Sequence, residues 1–526
     1  MLRTVNHPGS VGSSRMPLWV ALPVAVAAGA LLDTAFPDRG WWWMAPVAVG
    51  ALFASLLGRG FGGGVLIGIA GGGAFWLLHV EWLTLYLGPL PWIALAGLET
   101  ALFALSAGLI AVLLTRGSVI WPTLVGRFGL IPVAVAGVWT AREGVAAVWP
   151  YGGFAWGRLS ISQASGGLDD LLPWIGAAGV SFVVAWLAAL SVQLLRYPQV
   201  PFRTASFVIA AAVVVLLAIP GWPTTANATL RVAAVQGGAD AGLFAENRPG
   251  ELLRAHRAAT PLLEPDAVDV VVWPENSSDL DPLRSPQSAR LLEQLSQDLN
   301  APLVVGTITA RGDEFFNTSL LWEPGKGITD WYDKAHPVPF AEYMPDRAFW
   351  RPFAPELIDL VTRDYSIGTR ENVFDIGGVA AGVSICFDIA DDRLITEMIQ
   401  AGAQVILAQT NNADFGRTDE SVQQLAIARM RALETARSVI NISTVGTSAI
   451  IAPDGSLKSE LPTWVPGAIV TEVPLSDTVT PAVIAGRQIE WFVSGLGLAG
   501  LMVALAARTA PSAPRAHHRG WPDQKA

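Results

Sequence analysis

A multi-pass α-helical membrane bundle carrying a separate layered α/β domain is the fold class that this 526-residue sequence predicts. Three observations lead to it. Apolar residues make up 52% of the chain and charged residues 15%, against about 25% charged in an ordinary soluble domain. Asp, Glu, Lys and Arg are sparse before about residue 225 and after about 475, and dense between. Within that charged segment short β-branched runs alternate with helical patterns, as expected of strands layered against helices. The length also exceeds one ordinary core, so more than one domain is expected.

Crossing about 30 Å of hydrocarbon takes roughly 20 helical residues. Candidate stretches lie at 17–34, 41–57, 62–80, 90–115, 128–148, 173–195, 204–220 and 488–508, the second and seventh being short. Residues 1–225 are therefore expected to form a membrane region of about seven helices, and 226–480 a charged domain. Residues 485–526 would add a last membrane helix and a basic tail. The first stretch, with Arg3 and Arg15 before it and AVAAGA within it, could pass for a cleaved signal. Six further spans behind it favour a retained helix. Lys and Arg collect in cytoplasmic loops. A cytoplasmic N-terminus puts Arg59, Arg116, Arg127, Arg196 and Arg203 in inside loops, and Arg39, Arg142 and Arg158 outside. Seven spans then set the charged domain on the outer face, and the eighth returns Arg508, Arg515, Arg519 and Lys525 to the cytoplasm.

The net charge of −10 comes mostly from the middle segment. It argues against a nucleic-acid partner, which would call for a basic face. Trp is abundant (21) where Tyr is scarce (6), and Trp41-Trp42-Trp43 and Trp121 sit at span ends, as in an interfacial aromatic belt. Glu99 falls inside the fourth span, where a carboxylate is costly. A functional role and a packing role satisfied by a hydroxyl are both open. Cys386 is the sole cysteine, which excludes an intramolecular disulfide and a multi-cysteine metal site. By itself a lone Cys is more often a small buried hydrophobe than a nucleophile.

Its surroundings change that balance. The strand-like runs are LRVAAVQ, DVVVWPE, APLVVGTI, VAAGVSIC, QVILAQT and VINIST, with helical patterns at 281–298 and 418–438. Glu275 ends VVVWPE, Lys334 lies in WYDKAHPVPFAEYMP, and Cys386 ends VAAGVSIC. A thiol with a free pKa of about 8.5 needs a base or a cation to become a nucleophile at neutral pH. A carboxylate in a dry cleft can take its proton. A fixed lysine can stabilise the thiolate and the oxyanion formed when a carbonyl is attacked. The peptide N–H of Phe387 is a candidate second oxyanion donor. His336 reads as a structural loop residue, since no second His or Cys stands at ligand spacing, and no metal or other cofactor is expected. Asn411 and Asn412 either contact substrate or satisfy a turn.

These motifs resemble those of the nitrilase superfamily, and over essentially the whole chain the sequence resembles the apolipoprotein N-acyltransferases within it. WPEN around Glu275, YDKAHPVPFAEYMP around Lys334 and SICFDIA around Cys386 carry the likeness. NNADFG at 411–416, ARMRALETAR at 428–437, APDG at 452–455 and the loop WPYGGFAWGRLSISQ at 149–163 extend it. The resemblance implies an αββα sandwich for the charged domain. It implies Glu275 as general base, Lys334 as oxyanion and charge stabiliser, Cys386 as nucleophile and Glu342 as a supporting second glutamate. Phe387 and Asp388 take positions where tyrosine and glutamate are usual, and so join the supporting or substrate-positioning set. A family tryptophan expected after the first strand is not evident, and Phe244 is the candidate to replace it.

The implied reaction moves an acyl chain from a membrane phospholipid, through a thioester on Cys386, to the α-amine of the diacylglyceryl-cysteine of an apolipoprotein. The implied location is the bacterial cytoplasmic (inner) membrane, with the catalytic domain extracytoplasmic. The bilayer, the phospholipid donor and the lipoprotein acceptor are then the partners. The aromatic loop 149–163 would admit lipid while limiting hydrolysis of the thioester. A membrane-tethered amidase acting on a small carbon–nitrogen substrate is the alternative, and a catalytically inactive scaffold a second one. The arginine bias makes its own prediction: a reporter fused near residue 300 should read as external and one fused after 510 as cytoplasmic. Both reporting the same side would remove the eighth span.

Overall fold

The computed structural model describes residues 15–507 except 198, 240, 243 and 244. Arg3, Phe244, Arg508, Arg515, Arg519 and Lys525 therefore lie outside the described residues.

Among the described residues eight α-helices precede the first strand: α1 (Leu18–Asp33), α2 (Met44–Leu56), α3 (Phe61–His79), the short α4 (Leu83–Leu87), α5 (Pro89–Ile120), α6 (Ile131–Ala146), α7 (Leu172–Arg196) and α8 (Phe202–Leu217). The last helix among the described residues, α15 (Pro481–Ala506), packs back among them. Every apolar stretch expected to cross a membrane falls on one of these helices. By length and apolarity four of them suffice: α3, α5, α7 with the turn before it, and α15. Helices α1, α2 and α8 are apolar but only 16, 13 and 16 residues long, short of a straight crossing. Glu99 is buried in α5 and interacts with Arg142 of α6.

Small residues bring these helices together, since apolar surface alone gives little preference for protein over lipid. Gly64, Gly68 and Gly72 line one face of α3. A Cβ on any of them would come within 2.6–2.7 Å of α5, at Ala107, Ala104 and Phe103. Gly137 of α6 and Gly497 of α15 meet back to back, each leaving only 2.3 Å between a built Cβ and the other helix's backbone. Helix α7 breaks at Gly176, whose φ of 68° is left-handed and comfortable only for glycine.

The charged segment folds as two six-stranded sheets. One has the order β12-β1-β2-β3-β4-β5, from β1 (Ala228–Gln236), β2 (Val270–Val272), β3 (Leu303–Arg311), β4 (Glu314–Glu323), β5 (Gly327–Asp333) and β12 (Gly467–Leu475). The other has the order β11-β10-β9-β8-β7-β6, from β6 (Val373–Ile376), β7 (Val379–Ile385), β8 (Val405–Thr410), β9 (Ser438–Ser443), β10 (Ser448–Ile451) and β11 (Leu457–Leu461). In each sheet three central strands are parallel, β1-β2-β3 and β7-β8-β9. Such strands are buried on both faces, which accounts for continuous runs such as VVV and VILAQT. Val232, Val272, Val304, Val383, Leu407 and Ile440 interlock between the sheets.

Helices α9 (Glu251–Ala259) and α10 (Pro286–Leu299) cover the outer face of the first sheet through Leu253, Leu292 and Leu295. Helices α13 (Asp392–Gln400) and α14 (Glu420–Thr435) cover the second sheet. Short helical turns α11 (Arg347–Trp350) and α12 (Pro355–Ile358) lie in the long β5–β6 connection. The architecture is an αββα sandwich. Its second helical layer packs onto the helical region: Met398, Ile427 and Met430 share one apolar cluster with Trp76, Trp156 and Leu172.

The glycine contact between α6 and α15 gives a stability prediction. Gly497→Val forces the helices apart and should cost about 1–3 kcal/mol or more, as overpacking does. A thermal scan in detergent should show a lower Tm, whereas an unchanged Tm would mean that α15 is not held at this contact.

Candidate active site

The three reactive residues each follow a strand. Glu275 comes after β2, Lys334 directly after β5, and Cys386 directly after β7. Their loops are pressed together where side chains would not fit. A Cβ on Gly306 of β3 would come within 2.6 Å of Glu275 Cα, and one on Gly368 would meet the carbonyl of Asp333. Gly368 N–H donates to the Lys334 carbonyl at 2.9 Å, and Lys334 N–H to the Asn317 carbonyl at 2.8 Å.

Lys334 is 1% exposed, with Nζ 3.2 Å from Glu275 Oε1 and 2.8 Å from Glu342 Oε2. Asn317 on β4 ties the two carboxylates together, its Nδ2 donating at 2.7 Å to Glu275 Oε1 and to Glu342 Oε1. The backbone N–H of Val338 donates to Glu342 Oε2 at 2.6 Å, pinning the motif loop. Burial opposes charge on Lys334, but Glu275 and Glu342 outweigh it and hold the ammonium well above its usual range. Burial raises Glu275; Lys334 opposes the rise and Glu342 adds to it, leaving the carboxyl above its ordinary 4.5. The Cys386 thiol is raised by burial and then by the Glu275 charge, with Lys334 opposing. At rest the site therefore holds a neutral thiol beside a carboxyl whose proton affinity has been raised toward it.

Cys386 sits at φ 50°, a left-handed backbone at the strand-to-turn junction that only a constrained site retains. Asp388 supplies part of the constraint. Its Oδ2 accepts from Tyr332 Oη at 3.0 Å and from Ile385 N–H at 3.3 Å, and its Oδ1 from His336 N–H at 3.0 Å. The side chain thus straps the cysteine turn to the lysine loop.

A carbon-nitrogen hydrolase model matches residues 231–480, and a model of the apolipoprotein N-acyltransferase N-terminal domain matches residues 28–190. An apolipoprotein N-acyltransferase of Mycolicibacterium smegmatis is 32% identical, over 92% of this chain and 85% of that protein. The chain belongs to the apolipoprotein N-acyltransferase family. Another member, from Pseudomonas aeruginosa, is 28% identical over 96% of this chain and 98% of its own. Among solved structures, a carbon-nitrogen hydrolase superfamily protein of Xanthomonas campestris aligns with 54% of this chain and 100% of its own, at 16% identity and a TM-score of 0.37.

In this acyltransferase-family chain the loop 149–163 differs from the lipid-facing gate expected of it. Residues 155–164 are buried. Trp156, 3% exposed, donates through Nε1 to Gln423 Oε1 at 2.8 Å, the oxygen that also accepts from Trp82 Nε1 at 3.0 Å. Phe154 and Trp156 stack on Phe387, with ring centroids 6.2 and 6.1 Å away. The loop is a fixed seam between helical region and cysteine turn, because its indole and aromatic faces find partners on both sides. Only its first turn, with Trp149 and Tyr151, reaches the surface.

His336 pairs with Asp391 at 2.8 Å, a structural contact as expected. Asn411 and Asn412 also hold structure. Asn411 joins the Ala241 carbonyl and Thr444 Oγ1, and Asn412 bonds to Ser443, Glu420 and Gln424. Sequence reasoning passed over Asn317, Tyr332 and Gln424. Asn317 alone left a signal, an amide in the buried half of a strand that otherwise carries hydroxyls and hydrocarbons.

The raised Glu275 carboxyl sets a pH dependence. A general base must be ionised, so if Glu275 takes the Cys386 proton, the reactivity of that thiol should fall as pH drops through a value above 4.5. Glu275→Gln should remove this acid limb and slow iodoacetamide labelling of Cys386 by about 100-fold, within the usual range for a lost general base. Unchanged labelling at neutral pH would show that Glu275 is not the base.

Proposed function

We propose that this protein is an apolipoprotein N-acyltransferase working through a Glu275–Lys334–Cys386 triad. The reading rests on one observation above others: the likeness to named N-acyltransferases runs through the helical region as well as the carbon-nitrogen hydrolase domain. In this reading residues 1–225 and 485–526 form the membrane region and 226–480 the catalytic domain. The catalytic domain lies on the outer face of the bacterial cytoplasmic membrane, as the arginine distribution favours.

Glu275 takes the thiol proton as Cys386 Sγ attacks the ester carbonyl carbon of a phospholipid. The oxygen turns into an oxyanion beside the Lys334 ammonium, with the Phe387 N–H as second donor, and such donors act only where charge develops. Collapse breaks the ester C–O bond, Glu275 returns its proton to the departing oxygen, and a lysophospholipid leaves. The α-amine of a diacylglyceryl-modified N-terminal cysteine then attacks the thioester carbon. Glu275 carries the amine proton to the sulfur, and the amide product departs. Glu342 keeps Lys334 in place, Asp388 the cysteine turn, and Phe387 links that turn to the aromatic seam. Both substrates are lipid-anchored, so a site held at the bilayer confines their search to a surface.

Purified protein given a labelled phospholipid and no acceptor should accumulate an acyl thioester on Cys386. A lipopeptide bearing the diacylglyceryl-cysteine should then discharge it. Cys386→Ala and Cys386→Ser should lose both steps while remaining folded in the membrane. Full transfer by Cys386→Ala would end this reading. An adduct that hydrolyses at once and ignores the lipopeptide would favour a tethered amidase instead.

A further inference from the structure

The second turn of α14 passes beside the nucleophile. Gln424 Nε2 lies 3.5 Å from Cys386 Sγ, while Gln424 Oε1 accepts from Asn412 Nδ2 at 2.7 Å. The two ends of an amide have the same shape, so the network of partners must decide which end faces the sulfur.

Here the partners do decide. Asn412 Oδ1 accepts from Ser443 Oγ at 2.6 Å and from Thr410 Oγ1 at 3.2 Å. Both hydroxyls could also accept, so the deciding partner is Glu420, whose carboxylate form only accepts and so turns the Asn412 nitrogen toward α14. That nitrogen carries two hydrogens; one goes to Glu420 Oε2 at 2.8 Å and the other to Gln424 Oε1. Gln424 is left with only its N–H end to present to Cys386. Asn412, Glu420 and Gln424 are each 2% exposed, so water does not compete for these bonds and their polarity is maintained. The packing is equally tight, since a Cβ on Gly446 would fall 2.2 Å from Asn412 Oδ1.

We propose that Gln424 is a further catalytic residue, a hydrogen-bond donor to the Cys386 sulfur that the Asn412–Glu420 pair holds in the donating orientation. The inference rests on Cys386 being the nucleophile. A thiol accepts hydrogen bonds weakly, whereas bonds to an ionised acceptor are about twice as strong as neutral ones. The Gln424 contact therefore strengthens as the proton moves from sulfur to Glu275. It strengthens again when the thioester C–S bond breaks and the sulfur leaves with its electron pair. Stabilisation that grows between the resting and reacting states accelerates both steps. It also opposes the burial and the Glu275 charge that raise the thiol.

Because Cys386 is the only cysteine, thiol labelling of the full-length protein in detergent reports on this atom alone. Gln424→Glu keeps the length and keeps an acceptor for Asn412, but has no N–H to offer the sulfur. Its labelling by iodoacetamide at neutral pH should slow by about 10- to 100-fold, as for a lost hydrogen bond to a charged group. The pH profile of labelling should move upward, with thermal unfolding like that of the wild type. Gln424→Met, which removes the donor without adding charge, should shift the profile in the same direction by less, and it carries the test if the glutamate variant does not fold. A merely structural role would lower the Tm and leave the profile in place. A profile superimposable on wild type in a folded variant overturns the proposal. The proposed function fails separately, through full transfer by Cys386→Ala.

Discussion

Lys334 is a fully buried ammonium, and much of the site follows from keeping it charged. Removing such an ion from water costs several kcal/mol unless well-placed counter-charges offset it. One carboxylate would balance the charge; this site has two, Glu275 and Glu342, with Asn317 donating to both. The second carboxylate leaves the cluster short of positive charge. That shortage, added to burial, lifts Glu275 above an ordinary glutamate. The same pairing requires the loops after β2 and β5 and the Lys334–Glu342 motif to converge. Gly306 and Gly368 make that convergence sterically possible.

The sandwich is joined to the helical region by more than apolar contact. Arg431 of α14 reaches Asp392 at 2.7 Å and Glu434 at 2.6 Å, and Arg158 of the aromatic loop meets Asp392 at 2.6 Å. Glu434 in turn accepts from the Ala177 N–H at 3.1 Å, just after α7 breaks at Gly176. Next to the sulfur-facing Gln424, Gln423 accepts from Trp82 and Trp156. Adjacent residues on one helix thus touch the Cys386 sulfur and the helical region. Breaking a buried charge pair leaves its partner uncompensated, so the network resists separation of the two parts. Catalytic geometry and helix packing are consequently one problem in this chain.

What the sequence by itself determined was chemical type and order along the chain. Hydrophobic runs located every long helix, because burial in lipid or protein demands apolar side chains regardless of partner. Charge density marked out the sandwich, Glu275, Lys334 and Cys386 stood out as reactive groups at strand ends within matching motifs, and Glu342 came only with the family resemblance. Tertiary structure alone decided which of these groups meet and through which atoms. Asn317, Tyr332 and Gln424 look like ordinary polar residues until neighbours distant in the chain fix the direction of their hydrogen bonds. The loop 149–163 shows the same limit from the other side. Its aromatic content suits a surface gate and a buried seam equally well, and only contacts with Gln423 and Phe387 distinguish the two. Composition is local, whereas burial and hydrogen-bond polarity depend on residues hundreds of positions away.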